Sequence, residues 1–322
     1  MNNEPLLKAE NLTVEIKKGE KVFTAVDKIN FSLYPGEICG IVGESGCGKS
    51  LTALSIAGLL PPAARARGRI VFAEKNLLEL SEDKLCPVRG RDISMIFQEP
   101  LSSLNPLMKI GRQITETLEI HGNGGNEKQN RITALRLMEK LGLENPEQLM
   151  DTYPFRLSGG MCQRVMIALA MICGPKLLIA DEPTTALDID TQDQILRLLG
   201  EINKTGTTVL FISHDLGVVK QICGRVMVMY AGKIIEEGHT DEVLNSPAHE
   251  YTISLLDALP ERNLRGSRLR VIPGKVPSIE EERTGCPFAP RCGKAKEICY
   301  REFPQAIYVN KDHLTHCVLE QR

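Results

Sequence analysis

The eight residues Gly43-Glu44-Ser45-Gly46-Cys47-Gly48-Lys49-Ser50 constrain this chain more than any other stretch. They match the pattern of a phosphate-binding loop. The apolar run Glu37–Val42 before them reads as a buried strand, and Leu51–Leu60 after them as a helix. Strand, Gly-rich turn and helix in that order place backbone N–H groups around an anion at a helix N-terminus. In that reading Gly43 to Leu51 contact the nucleotide. Lys49 reaches the β- and γ-phosphates as a point charge, and Ser50 ligates Mg²⁺. The loop alone leaves kinases, GTPases and ATPases open.

A second element narrows the choice. Leu177-Leu178-Ile179-Ala180-Asp181-Glu182 is an apolar strand ending in two carboxylates. Asp181 suits a Mg²⁺ contact, and Glu182, one residue on, is placed to polarise an attacking water as general base. Similar apolar runs recur at Ile93–Phe97, Thr208–Ile212 and Val226–Tyr230, with helical patterns between them at Arg131–Leu141, Cys162–Ile172, Gln192–Asn203 and Leu216–Cys223. Strands alternating with helices predict an α/β core around a mainly parallel sheet. Leu12–Ile16, Phe23–Leu33 and Ile70–Phe72 read as an antiparallel edge. A mostly helical insert spans about 101–173, with a turn at His121–Gly125.

A chain of 322 residues is longer than one usual domain, so a large domain with a smaller appendage is expected. The net charge of -2 supplies no basic field for nucleic acid. No apolar run approaches the ~20 residues that cross a bilayer. Met1–Glu10, with Glu4, Pro5 and Glu10, lacks the basic start and apolar stretch of a signal peptide, so a cytoplasmic location is expected. Cysteines in that compartment stay reduced. Cys39, Cys47, Cys86, Cys162, Cys173 and Cys223 read as small apolar filler.

Leu157-Ser158-Gly159-Gly160-Met161-Cys162-Gln163-Arg164 resembles the signature motif of ATP-binding cassette (ABC) ATPases. Ser158 and the bare amides of Gly159 and Gly160 open a helix and offer an outward-pointing anion site. The other landmarks of that family follow in order. Gln98 looks like the Q-loop glutamine that touches Mg²⁺ and the attacking water. Asp188, in Ala186-Leu187-Asp188, looks like the D-loop, and His214 like the switch histidine that senses the γ-phosphate. Met161 departs from the family's commonest residue, Gln. Phe23 is the nearest candidate for an adenine-stacking aromatic, though its alternating context equally suits a core strand. The resemblance implies a P-loop cassette with a helical subdomain, catalysis by Glu182, His214 and Gln98, and Mg²⁺ held through Ser50, Gln98 and Asp181. It also implies head-to-tail pairing with a second cassette, so that Ser158, Gly159 and Gly160 serve the partner's ATP.

After Ala258 the texture changes to Pro- and Arg-rich sequence, which predicts a cassette over 1–258 and a small Cys-rich C-terminal module over 259–322. The run Cys286-Pro-Phe-Ala-Pro-Arg-Cys292, followed by Cys299 and Cys317, is similar to the C-terminal extension of the dipeptide and oligopeptide (and sometimes nickel) importers. Four thiolates from a loop-rich tail are metal-site chemistry. Paired C-x₂-C knuckles are absent. The wide spacing suits a [4Fe–4S] cluster, which members of that branch carry. His313 and His316 keep zinc open, and reduced, unligated thiols are the third reading. The resemblance implies the ATPase subunit of a peptide importer at the cytoplasmic face of the plasma membrane. Its partners would be a second, related cassette chain, two permeases and an external solute-binding protein. The same machinery for nickel or another small solute, or a soluble non-transport ABC ATPase, are the alternatives.

Overall fold

The computed structural model describes residues 4–121, 125–259, 270–281 and 284–320. Residues 122–124, in the expected turn, and 260–269, in the expected linker, lie outside the described residues. In chain order the first elements are β1 (Leu7–Lys18), β2 (Lys21–Leu33), β3 (Ile38–Val42), α1 (Lys49–Ala57), β4 (Ala64–Phe72) and β5 (Lys75–Asn76). Next come α2 (Glu82–Leu85), β6 (Ile93–Ile96), α3 (Pro100–Ser103), α4 (Ile110–His121), α5 (Glu127–Lys140), α6 (Pro146–Met150) and α7 (Gly159–Met171). Then follow β7 (Leu177–Asp181), α8 (Ile189–Lys204), β8 (Thr208–Ser213), α9 (Leu216–Ile222), β9 (Arg225–Tyr230), β10 (Lys233–His239), α10 (Thr240–Asn245) and α11 (Glu250–Asp257). The chain closes with α12 (Glu297–Arg301), β11 (Ile307–Asn310) and β12 (His313–Thr315).

These elements fall into two compact units, one of residues 1–33, 38–78 and 213–322, the other of 34–37 and 79–212. In the first, β2, β1, β4 and β5 form an antiparallel sheet in that order. The same unit orders its remaining strands β11-β12-β10-β9-β3, with β3 and β9 parallel and the others antiparallel. The second unit orders β8-β7-β6, all parallel. Strands β3, β7 and β8 are buried at every residue. That is why they read as continuous apolar runs: a strand covered on both faces has no solvent side on which to place alternating polar residues. Helix α8 shows the complementary pattern, with Ile195, Leu196, Leu198, Leu199 and Ile202 buried and Asp188 capping its start. The insert carries the helices α3 to α7.

The described C-terminal residues group with residues 1–33, 38–78 and the chain from 213 onward in the first unit. The reason is a buried acid. β12 pairs with β10, Glu236 opposite Thr315 and Glu237 opposite Leu314. Glu236 is fully buried, and its carboxylate accepts from the backbone N–H groups of Ala248 (2.6 Å) and His249 (3.0 Å). The same carboxylate lies 2.7 Å from Nε2 of His313, itself 1% exposed. One carboxylate thus ties the entry to α11 and the last strand to β10, which draws the tail into the first unit.

Replacing Glu236 by Ala leaves those donors buried without an acceptor and should cost about 3 kcal/mol in urea unfolding of the full chain. Glu236→Gln retains an acceptor oxygen and should lose less.

Candidate functional site

Between β3 and α1 the chain turns on Gly43, Gly46 and Gly48, at φ of 157°, 80° and 108°. Gly43 has no room for a side chain, and at Gly48 the left-handed backbone disfavours one. A Cβ on Gly43 would lie 2.0 Å from the carbonyl oxygen of Met229, and one on Gly48 would lie 2.8 Å from Met229 Cε. The loop is pressed against the end of β9, and the Gly232 N–H fastens it by donating to the Cys47 carbonyl (2.8 Å). Lys49 is 5% exposed, and its Nζ donates to the carbonyls of Gly43 (2.7 Å) and Glu44 (3.2 Å). Ser45 and Gly46 are exposed, while Ser50 and Leu51 are half-buried in the first turn of α1. That turn carries no acidic side chain, so the positive end of the helix dipole is left for an anion. Burial pushes the Cys47 thiol above its ordinary pKa against the pull of Lys49, so it stays neutral in the loop.

The second unit brings two of the expected catalytic groups together. Gln98, just after β6, donates from Nε2 to Oε2 of Glu182 at 3.1 Å. Thr185 Oγ1 donates to the same oxygen at 3.0 Å. Glu182 follows Asp181, the buried last residue of β7, and takes a left-handed backbone at φ 48°. A non-glycine residue there is costly unless its surroundings hold it, and such strain gathers at functional sites. Here the Glu182 N–H donates to the Ile212 carbonyl (2.9 Å), so the pairing of β7 with β8 holds the strained residue. His214, which directly follows β8, is exposed, and Asp215 beside it caps α9.

The signature and the D-loop meet in the same unit. Ser158 caps α7, its Oγ accepting from the Met161 N–H at 3.3 Å. That bond uses the backbone of Met161, so the departure of its side chain from glutamine leaves the cap intact. Ser158 and Gly159 are exposed. A Cβ on Gly160 would lie 2.7 Å from Thr191 Cγ2. Asp188 accepts from both the backbone N–H (2.9 Å) and the hydroxyl (2.8 Å) of Thr191, which hold its carboxyl below the usual range. Thr191 was not anticipated as a linking residue. Phe23 lies in β2 opposite Ile16.

Near the C-terminus, Cys286, Cys292, Cys299 and Cys317 all line one cavity, together with His249 and His316. Burial raises the pKa of the Cys286 thiol to about 11, and raises those of Cys292 and Cys317 as well. His249, pushed down to about 3 by burial, is neutral. Its Nδ1 accepts from the Tyr251 N–H (3.0 Å), which leaves the ring proton on Nε2, 3.9 Å from Cys286 Sγ. His313 lies on Glu236 instead.

The model of the ABC transporter family matches residues 26–185, and that of the oligopeptide/dipeptide transporter C-terminal region matches 235–299. The chain is 44% identical to the oligopeptide transport ATP-binding protein OppD of Haemophilus influenzae, over 98% of this chain and 97% of the relative. It is also 44% identical to the dipeptide transport ATP-binding protein DppD of Bacillus subtilis, over 99% and 96%. The chain belongs to the ATP-binding subunits of ABC transporters, in their oligopeptide/dipeptide branch. Among solved structures, a dimeric ATP-binding cassette in a post-hydrolysis state with ADP and Pi superposes with a TM-score of 0.66 at 30% identity. That match covers 73% of this chain and 98% of the cassette. CbiO1 of Clostridium perfringens gives 0.64 at 29%, over 76% and 92%. The fold is therefore that of the ABC cassette, α/β with a mixed sheet, and the chain is an ATPase.

A zinc site closes four ligands tightly around one ion, and no three His, Cys, Asp or Glu side chains among the described residues converge so that they could hold one. The four cysteines share one cavity, yet the described residues offer no converged ligand set there for a metal of either kind, cluster or zinc.

Gly43→Ala should destabilise the chain by about 3 kcal/mol, the upper end of overpacking costs, because backbone rather than a rotatable side chain stands in the way. Ser45→Ala, at an exposed position of the same loop, should leave the melting temperature unchanged in a thermal shift assay.

Proposed function

We propose that the chain powers import of di- and oligopeptides by hydrolysing ATP at the cytoplasmic face of the plasma membrane. The observation that carries this reading is the similarity over nearly the full length, C-terminal region included, to the peptide-transport ATP-binding proteins. Among the described residues no helix is long and apolar enough to cross a membrane, so the membrane path needs other chains. We assign that path to two permeases fed by an external solute-binding protein, with a second, related cassette as the ATPase partner.

The residues divide the work as follows. The loop from Gly43 to Leu51 and the Lys49 ammonium hold the triphosphate, while Ser50, Gln98 and Asp181 hold Mg²⁺. Glu182 takes a proton from the attacking water; the hydrogen bonds from Gln98 and Thr185 fix its carboxylate for that task. His214 senses the γ-phosphate. Ser158, Gly159 and Gly160 serve the partner's nucleotide, next to Asp188. Mg²⁺ supplies neutralisation of the charge that develops on the phosphates.

We further propose that Cys286, Cys292, Cys299 and Cys317 hold a [4Fe–4S] cluster, supported by their shared cavity and by a Lys296 N–H that donates to Cys299 Sγ (3.4 Å). The cluster would staple a segment poor in core of its own.

Glu182→Gln should bind ATP normally yet hydrolyse it roughly 10²–10⁴-fold more slowly. Unchanged turnover would remove Glu182 from the role. Protein purified without oxygen should carry about four irons and four acid-labile sulfides per chain, whereas stoichiometric zinc or no metal would refute the cluster.

A further inference from the structure

The phosphate-binding loop is gripped from the C-terminal segment through one of its own residues, Glu44. Arg291 donates from Nη1 to Glu44 Oε2 (2.7 Å) and from Nη2 to Glu44 Oε1 (3.2 Å), a two-pronged pair. The guanidinium is itself held in place. Nη1 also reaches the Tyr230 hydroxyl (3.1 Å), Nε donates to the Pro273 carbonyl (2.7 Å), and the group lies over the rings of Tyr230 and Phe288. Its side chain is 6% exposed. Burial opposes the charge, yet the Glu44 carboxylate and the Tyr230 hydroxyl keep its pKa above the ordinary value. Glu44 is held at its backbone too, where its N–H donates to the Tyr251 hydroxyl (2.9 Å). Tyr251 is fully buried, packed on Tyr230 (4.5 Å between ring centroids) and Phe288 (5.3 Å).

Two physical consequences follow for the loop. Glu44 sits between Gly43 and the Ser45-Gly46 pair, glycines that leave a backbone free to wander unless something fixes it. A carboxylate in a loop that receives a triphosphate is also a repulsive charge unless a cation neutralises it. Arg291 answers both needs. We propose that Arg291 and Tyr251 are positioning residues for ATP binding, which hold Glu44, and with it the course of the loop, in place and cancel the charge of its carboxylate. This rests on the reading of Gly43–Leu51 as the ATP loop. Neither residue touches the nucleotide in this account, since both act through Glu44.

The test is titration of full-length chain with a fluorescent ATP analogue, alongside steady-state ATPase kinetics. Arg291→Gln should raise both Kd and KM for ATP about tenfold, the equivalent of about 1.4 kcal/mol, with kcat nearly unchanged. Glu44→Gln added to Arg291→Gln should recover much of the loss, because it removes the uncancelled charge. Arg291→Lys, which keeps the charge and loses the fork, should fall between. Should Arg291→Gln fail to fold, Arg291→Lys and Tyr251→Phe carry the same measurement, each expected to weaken ATP binding. Wild-type affinity in these variants, a fall in kcat alone, or no recovery on adding Glu44→Gln would overturn the proposal. Lys49→Ala is the separate control: if it binds ATP as tightly as wild type, the reading of the loop itself fails.

Discussion

The course of the expected phosphate-binding loop depends on backbone meeting backbone at Gly43. Its Cα lies against the Met229 carbonyl with no room for a methyl group between them. That contact fixes where β3 may end relative to its parallel neighbour β9, and so where α1 may begin. Gly232, at the turn from β9 to β10, reinforces it through the Cys47 carbonyl, and is itself pressed against Ala25 of β2. The loop is consequently a seam between strands that are far apart in sequence. Its course is set where motif residues Gly43 and Cys47 meet the end of β9 and the turn that follows it.

The C-terminal segment builds on that seam. Tyr230, the last residue of β9, lies between the ring of Tyr251 and the guanidinium of Arg291, and Phe288 closes the cluster. Arg291 adjoins Cys292, and His249 adjoins Glu250 at the start of α11, so the wall of the cysteine cavity and the grip on Glu44 share one stretch of backbone. The C-terminal segment is built into the unit by the ion pair of Arg291 with Glu44 and by the buried hydrogen bond between His313 and Glu236.

The strands and helix starts that carry the expected site residues were legible in the sequence because each is a local pattern with a local cause. Strands β3, β7 and β8 are buried on both faces and read as unbroken apolar runs. Gly43 marks a site without room for a Cβ, Gly48 one with a left-handed backbone, and Ser158 and Asp188 stand where helix caps stand. What escaped reading is non-local. β10 holds Lys233, Glu236 and Glu237 in seven residues and looks polar, yet Glu236 is among the most buried side chains in the chain. Its partner His313 is 77 residues away and was set aside as a possible metal ligand. Arg291 lay inside a motif noted for its cysteines, while its partner is 247 residues earlier. Spacing rules see neighbours on one element, and ion pairs across such distances leave no periodic trace.

Thr191 joins two motifs that the sequence presents as separate. Its methyl group occupies the space that a side chain on residue 160 would need, and its hydroxyl and amide are both taken by Asp188. The start of α7 and the start of α8 therefore meet at one threonine. A larger residue at 160 calls for a smaller or displaced one at 191, and loss of the threonine removes the hydroxyl that Asp188 accepts from.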